Sequence, residues 1–88
     1  MTPSIFELPE GIHTREELIK MLMPDIELFV NKDFEKFLLF CYRIDLSEEK
    51  LKGILNTSPP ESMIRDLTEA IVDRQLLKVE IKRKYKST

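Results

Sequence analysis

Cys41 and His13 are the chain's only cysteine and its only histidine. A catalytic cysteine needs a base within hydrogen-bond reach and surroundings that favour the thiolate. Cys41 lies instead within Phe37-Leu38-Leu39-Phe40-Cys41-Tyr42, an apolar setting that raises a thiol pKa, so it reads as a small core residue. His13 precedes a helix in a presumed arm. With no second histidine and no Glu-x-x-His spacing it builds no metal site and is expected to face solvent. The pairs Glu16-Glu17 and Glu48-Glu49 could do acid–base work, but each falls in the first turn of a predicted helix, where the backbone dipole favours acids. Gly11 and Gly53 are the only glycines, too few for a phosphate-cradling loop. These residues predict no enzyme, no metal, no cofactor and no small-molecule substrate.

Two polar features stand apart. Arg74-Gln75 falls inside an apolar stretch, and a half-buried arginine needs an anionic partner because an unpaired charge in apolar surroundings costs several kcal/mol. Asp45, in Tyr42-Arg43-Ile44-Asp45, is the expected partner, forming a bridge that ties the last helix to the loop after the central one. Alternatively, Arg43, Arg74 and Gln75 belong to a recognition surface that extends along Lys78, Lys82, Arg83, Lys84 and Lys86. The second feature is charge. Residues 74–88 hold six basic residues against Glu80 alone, net +5, while residues 1–73 hold eight basic against fifteen acidic residues, net −7. Such opposed halves can satisfy each other, a second copy, or an external polyanion.

The elements that must position these residues read as helices, because glycine is scarce, a third of the chain is charged and β-branched runs are few. The expected fold is all-α, a compact bundle of four to five helices with a long C-terminal helix, forming one domain over residues 14–86 after an irregular arm at residues 1–13. Thr14 and Glu17 make a capping box. Leu18, Ile19 and Leu22 give the first helix an apolar face, and Pro24 is expected to break or kink it. Ile26, Phe29 and Val30 resume the pattern to about Lys32. Asp33 caps the central helix, whose stretch Phe37–Tyr42 is apolar all the way round and is expected to be dry on every side. Ser47 caps the next helix, with Leu46 and Leu51 as a hydrophobic staple and Ile54 and Leu55 completing its face. Ser58, Pro59 and Glu61 predict the last helix to start at Pro59. Its stripe runs through Met63, Ile64, Leu67, Ala70, Ile71, Leu77 and Ile81 and widens with Val72, Leu76 and Val79. Leu77, Val79 and Ile81 also alternate with Lys78, Glu80 and Lys82 as in a strand, but only Ser4 to Leu8 could pair with it, so helix is the expectation.

No apolar run reaches the length of a membrane span, and the amino terminus lacks the pattern of a signal peptide, so a cytoplasmic protein is expected. One cysteine allows no internal disulfide. A chain of 88 residues has a modest core, and small helical proteins often bury leftover apolar surface by self-association. The segments Tyr42-Arg43-Ile44-Asp45-Leu46-Ser47-Glu48-Glu49-Lys50-Leu51 and Ala70-Ile71-Val72-Asp73-Arg74-Gln75-Leu76-Leu77-Lys78 resemble a group of small uncharacterised bacterial helical proteins, over about residues 26–86. That resemblance implies a compact helical fold in a bacterial, intracellular setting and brings no activity with it. The functional expectation is a non-enzymatic protein–protein interaction or assembly module that forms a homodimer. Met21, Met23 and Met63, with flexible side chains, suit adaptable contacts as well as core gaps. The alternative is nucleic-acid binding through the basic C-terminal helix. Against it, the would-be recognition helix opens with Glu48 and Glu49, which phosphates repel.

Overall fold

The computed structural model describes the backbone of residues 14–86 and the side chains of residues 14–81. It holds four helices: α1 (Arg15–Lys32), α2 (Phe34–Arg43), α3 (Glu48–Thr57) and α4 (Pro60–Lys86). The expected arm at residues 1–13, His13 included, lies outside the described residues. Among those described there is no strand. Residues 77–86 are helical, which decides between the two periods that Leu77, Val79 and Ile81 allow.

The local start signals act where they can be satisfied locally. The Thr14 hydroxyl accepts from the Glu17 amide at 3.1 Å, and the Glu17 carboxylate accepts from the Thr14 amide at 3.4 Å. Two of the four orphan amides at the start of α1 are thereby bonded. Asp33 serves two helices at once: its amide donates to the Phe29 carbonyl at 3.0 Å, closing α1, and its carboxylate accepts from the Lys36 amide at 3.1 Å, opening α2. One residue thus turns the chain. Ser47 caps α3 in the same way.

Pro24 does not divide α1, which runs through it as one helix of 18 residues, giving four helices rather than five. Pro24 removes one amide bond, yet Leu18, Ile19 and Leu22 before it and Ile26 after it are all buried in the same core. Packing on both sides outweighs the loss of a single backbone hydrogen bond. Pro24 itself is exposed, so its ring meets solvent rather than a neighbour.

The expectation that Phe37–Tyr42 is dry on every side is corrected. Phe37, Phe40 and Cys41 are buried, but Leu39 is 59% and Tyr42 46% exposed. The helix packs chiefly against α1 and has an outer face, so an apolar sequence all round does not place neighbours all round. On its inner face Phe37 meets Phe29 edge-on, with centroids 5.7 Å apart and planes at 86°, and Phe40 lies 5.9 Å from the same ring. Edge-to-face aromatic pairs of this kind add to area burial.

The last helix begins at Pro60, one residue later than expected. The Pro59 carbonyl accepts from the Met63 amide at 3.0 Å, while Ser58, the expected cap, is the residue that closes α3. Its hydroxyl donates instead to Asp66 at 2.8 Å, and the Ser62 hydroxyl donates to the same carboxylate oxygen at 3.1 Å. Asp66 thereby clamps the α3–α4 turn. Beyond it Leu67, Ala70, Ile71 and Val72 form the centre of the core. Thr68, fully buried, donates its hydroxyl to the Ile64 carbonyl at 2.7 Å, so its polar group stays bonded. At 27 residues α4 is about 40 Å long at 1.5 Å per residue, nearly the longest dimension of the molecule, 43 Å.

Candidate functional site

The turn from α2 to α3 sets the position of the residues singled out around Arg74. The Leu46 amide donates to the Cys41 carbonyl at 3.0 Å and the Asp45 amide to the Tyr42 carbonyl at 3.1 Å, the paired bonds of a Schellman ending. This ending places Asp45 in the left-handed region with φ 60°, a conformation that aspartate tolerates better than most residues other than glycine. Leu46 drops into the core three residues after the end of α2, and the Ile44 carbonyl, at the negative end of α2, is left facing α4.

Arg74 meets that carbonyl. Its Nε donates to the Ile44 oxygen at 3.0 Å, and its Nη2 lies 3.9 Å from the Asp45 carboxylate. The Arg74 side chain is 26% exposed and that of Asp45 75% exposed. The expected partners therefore stand side by side, but the short contact is to the backbone and the ion pair is long and wet. A guanidinium at a helix C-terminus is favoured by the dipole as well as by the bond.

The expected recognition surface is only partly gathered. Arg43 is exposed at the end of α2, Lys78 is half-buried one turn beyond Arg74, and Gln75 is buried, 8% exposed, beneath the surface rather than on it. Lys82, Arg83, Lys84 and Lys86 lie on the last turns of α4. Along the same turns the apolar stripe comes out into solvent: Leu77 is 46%, Val79 40% and Ile81 42% exposed. Leu77 and Ile81 continue the side of α4 that Leu67 and Ala70 bury, and Val79 continues the side that Val72 buries. The two edges of the stripe thus reach solvent on different sides of the helix, with Lys78 between them.

A charged seam along the start of α1 and the middle of α4 escapes the sequence reading. Arg15 grips Asp73 with two bonds, Nε to Oδ1 at 2.6 Å and Nη2 to Oδ2 at 3.1 Å. Arg65 holds both Glu16 oxygens, at 2.9 and 2.8 Å, and donates through Nε to Glu69 at 2.9 Å. Glu69 also lies 3.7 Å from Arg15, so five charges alternate in sign along the seam. The Arg65 hydrogen bond holds the Glu16 carboxyl below its ordinary value, and the Arg15 hydrogen bond does the same for Asp73. The signal in the sequence is the four-residue spacing of Arg65, Glu69 and Asp73 on one side of α4. Nothing local connects it to Arg15, 58 residues from Asp73, or to Glu16, 49 residues from Arg65.

Beside the seam an open cleft of about 420 Å³ separates α3 from α4, with Glu49, Lys50 and Gly53 on one wall and Asp66, Ala70 and Asp73 on the other. Cys41 is far less reactive than an ordinary cysteine: burial pushes its thiol up to about 12, so essentially no thiolate is present at neutral pH. Among the described residues no helix is long and apolar enough to cross a membrane, and no group of three or more His, Cys, Asp or Glu side chains is placed to hold a metal ion.

No protein family, no curated protein and no solved structure matches the chain. Fold and surface are therefore read from their own residues.

Proposed function

We propose that this chain is a non-enzymatic helical assembly module that binds protein, in the first place a second copy of itself. The observation that supports this reading is the end of α4, where Leu77 and Ile81 prolong the side that Leu67 and Ala70 bury but are themselves 46% and 42% exposed. Single exposed apolar residues are ordinary, whereas a stripe that continues the core and then loses its cover is the mark of a contact surface. A reducing cytoplasm suits the proposal, since the one cysteine is buried and forms no internal bridge. Sedimentation at micromolar concentration tests it. A species of twice the chain mass is expected, and a strict monomer at all concentrations refutes self-association.

A second reading is favoured by one observation: α4 stays helical to Lys86, which carries Lys82, Arg83, Lys84 and Lys86 on one continuous rod fit to follow a polyphosphate. In that case affinity for DNA or RNA falls steeply between about 50 and about 200 mM salt. The absence of any binding at the lower salt refutes it.

A further inference from the structure

We infer that α3 is a strap: it opens from α4 and refolds as one unit while α1, α2 and α4 keep their packing. Such a motion needs no second copy and so goes beyond the self-association proposed above. The layout of the bundle permits it, because α1 packs against both α2 and α4, whereas α3 packs chiefly against α4 alone. Of the ten residues of α3 only Leu51 is buried, with Ile54 and Leu55 half-buried and the other seven exposed. The equally long α2 buries Phe37, Phe40 and Cys41. Opening α3 withdraws one of the fourteen buried apolar side chains from the core and leaves thirteen on other segments. The open cleft of about 420 Å³ along Glu49, Lys50 and Gly53 further shortens the surface that α3 shares with α4.

The helix has little strength of its own to make up for this. A helix of ten residues is marginal in water without packing. Gly53, in its interior, lowers its propensity further, although a Cβ there would meet nothing within 4 Å, so packing does not demand the glycine. No basic residue stands in its last turn to meet the negative end of the dipole. Its flanks, by contrast, are held. Before it, Ile44 and Leu46 are buried and the Ile44 carbonyl accepts from Arg74 at 3.0 Å. After it, the Ser58 hydroxyl donates to Asp66 at 2.8 Å. These anchors lie outside residues 48–57, so opening stops at the ends of α3, and the strap stays beside the surface it leaves.

Native-state hydrogen exchange of the full chain, followed amide by amide by NMR where reclosing outpaces exchange, tests the strap. The amides of residues 52–57 should share one protection factor, about tenfold or more below those of Leu22 on α1 and Ile71 on α4. Low urea should leave them almost unchanged, because their opening exposes little surface, while protection of Leu22 and Ile71 falls steeply. The amides of Phe40 and Cys41 on α2 should follow Leu22 and Ile71. The variant Ile26→Val, which trims the core on α1, separates the two motions. It should lower protection of Leu22 and Ile71 about fivefold and leave residues 52–57 as they were, since α1 stays packed when α3 opens.

Equal protection and equal urea dependence in residues 52–57 and in Leu22 and Ile71 would make the bundle one cooperative unit and overturn the strap. A graded loss of protection from one end of α3 would be fraying rather than opening as a unit, and overturns it too. So does exchange of α2 together with α3, or a fall in α3 protection on Ile26→Val.

Discussion

The Arg74 contact turns on which acceptor matters, and the two candidates predict different mutational costs. Replacing Arg74 by Met keeps most of the apolar stem and removes the charged donor. The lost bond runs from a guanidinium to the Ile44 carbonyl at 3.0 Å, and bonds from charged groups contribute about 1.5–3 kcal/mol each. Since the side chain is 26% exposed, water replaces part of this, and a loss of about 1–2 kcal/mol is expected. Asp45→Asn removes only the carboxylate charge, 3.9 Å from the guanidinium and on a side chain 75% exposed. Asparagine also accepts the left-handed backbone at this position, so the cost should stay below about 0.5 kcal/mol. Urea unfolding followed by far-UV circular dichroism measures both, through midpoints at constant slope. If Asp45→Asn costs as much as Arg74→Met, the carbonyl is not the principal acceptor and the ion pair is.

Further outcomes follow from the same structure. Gly53 sits inside α3, and a Cβ there would meet nothing within 4 Å, so Gly53→Ala should stabilise the fold by about 0.5–1 kcal/mol, seen as a raised melting temperature. Phe37, fully buried, and Leu39, 59% exposed, are two residues apart on α2. Phe37→Ala should cost about 3–5 kcal/mol in urea unfolding and Leu39→Ala far less, whereas equal costs would contradict the outer face of α2. Glu16 and Asp73 are held below their ordinary values of 4.5 and 3.8 by Arg65 and Arg15. Their contribution to stability is therefore complete above about 4.5 and disappears as pH falls through the lowered values. The double variant Glu16→Gln, Asp73→Asn should show a flatter decline of melting temperature in acid than the unaltered chain.

Much of the fold is legible where the cause is local. Thr14 with Glu17, Asp33 and Ser47 cap the helices expected of them because a cap needs only the next three residues. The 3–4 spacing of Leu67, Ala70 and Ile71 likewise implies the face they bury. Legibility stops where a residue has two possible uses or its partner is distant. Ser58 has the right chemistry for a cap, but its hydroxyl goes to Asp66. Pro24 carries a breaker signal that four buried neighbours on α1 override. Phe37–Tyr42 shows apolar character without saying how many helices surround it. The Arg15–Asp73 and Arg65–Glu16 contacts join residues brought together only by the finished bundle. Asp45 is readable as a partner for Arg74 because side chains are visible in a sequence, whereas the nearer acceptor, a main-chain oxygen freed by the turn at Asp45, is not. At the candidate surface the basic run and the apolar stripe are both readable, but burial of Gln75 and exposure of Leu77 depend on where neighbouring helices stop.

The shielding of Cys41 also supplies a native reporter. Fully buried, with its thiol at about 12, it reacts with an alkylating probe only when the bundle opens around it. When reclosing is faster than labelling, the modification rate is the opening equilibrium multiplied by the intrinsic rate of a free thiol. That lets the opening free energy of the interior be measured without introducing a label, and any docking that steadies the bundle would register as slower alkylation of a residue buried from solvent.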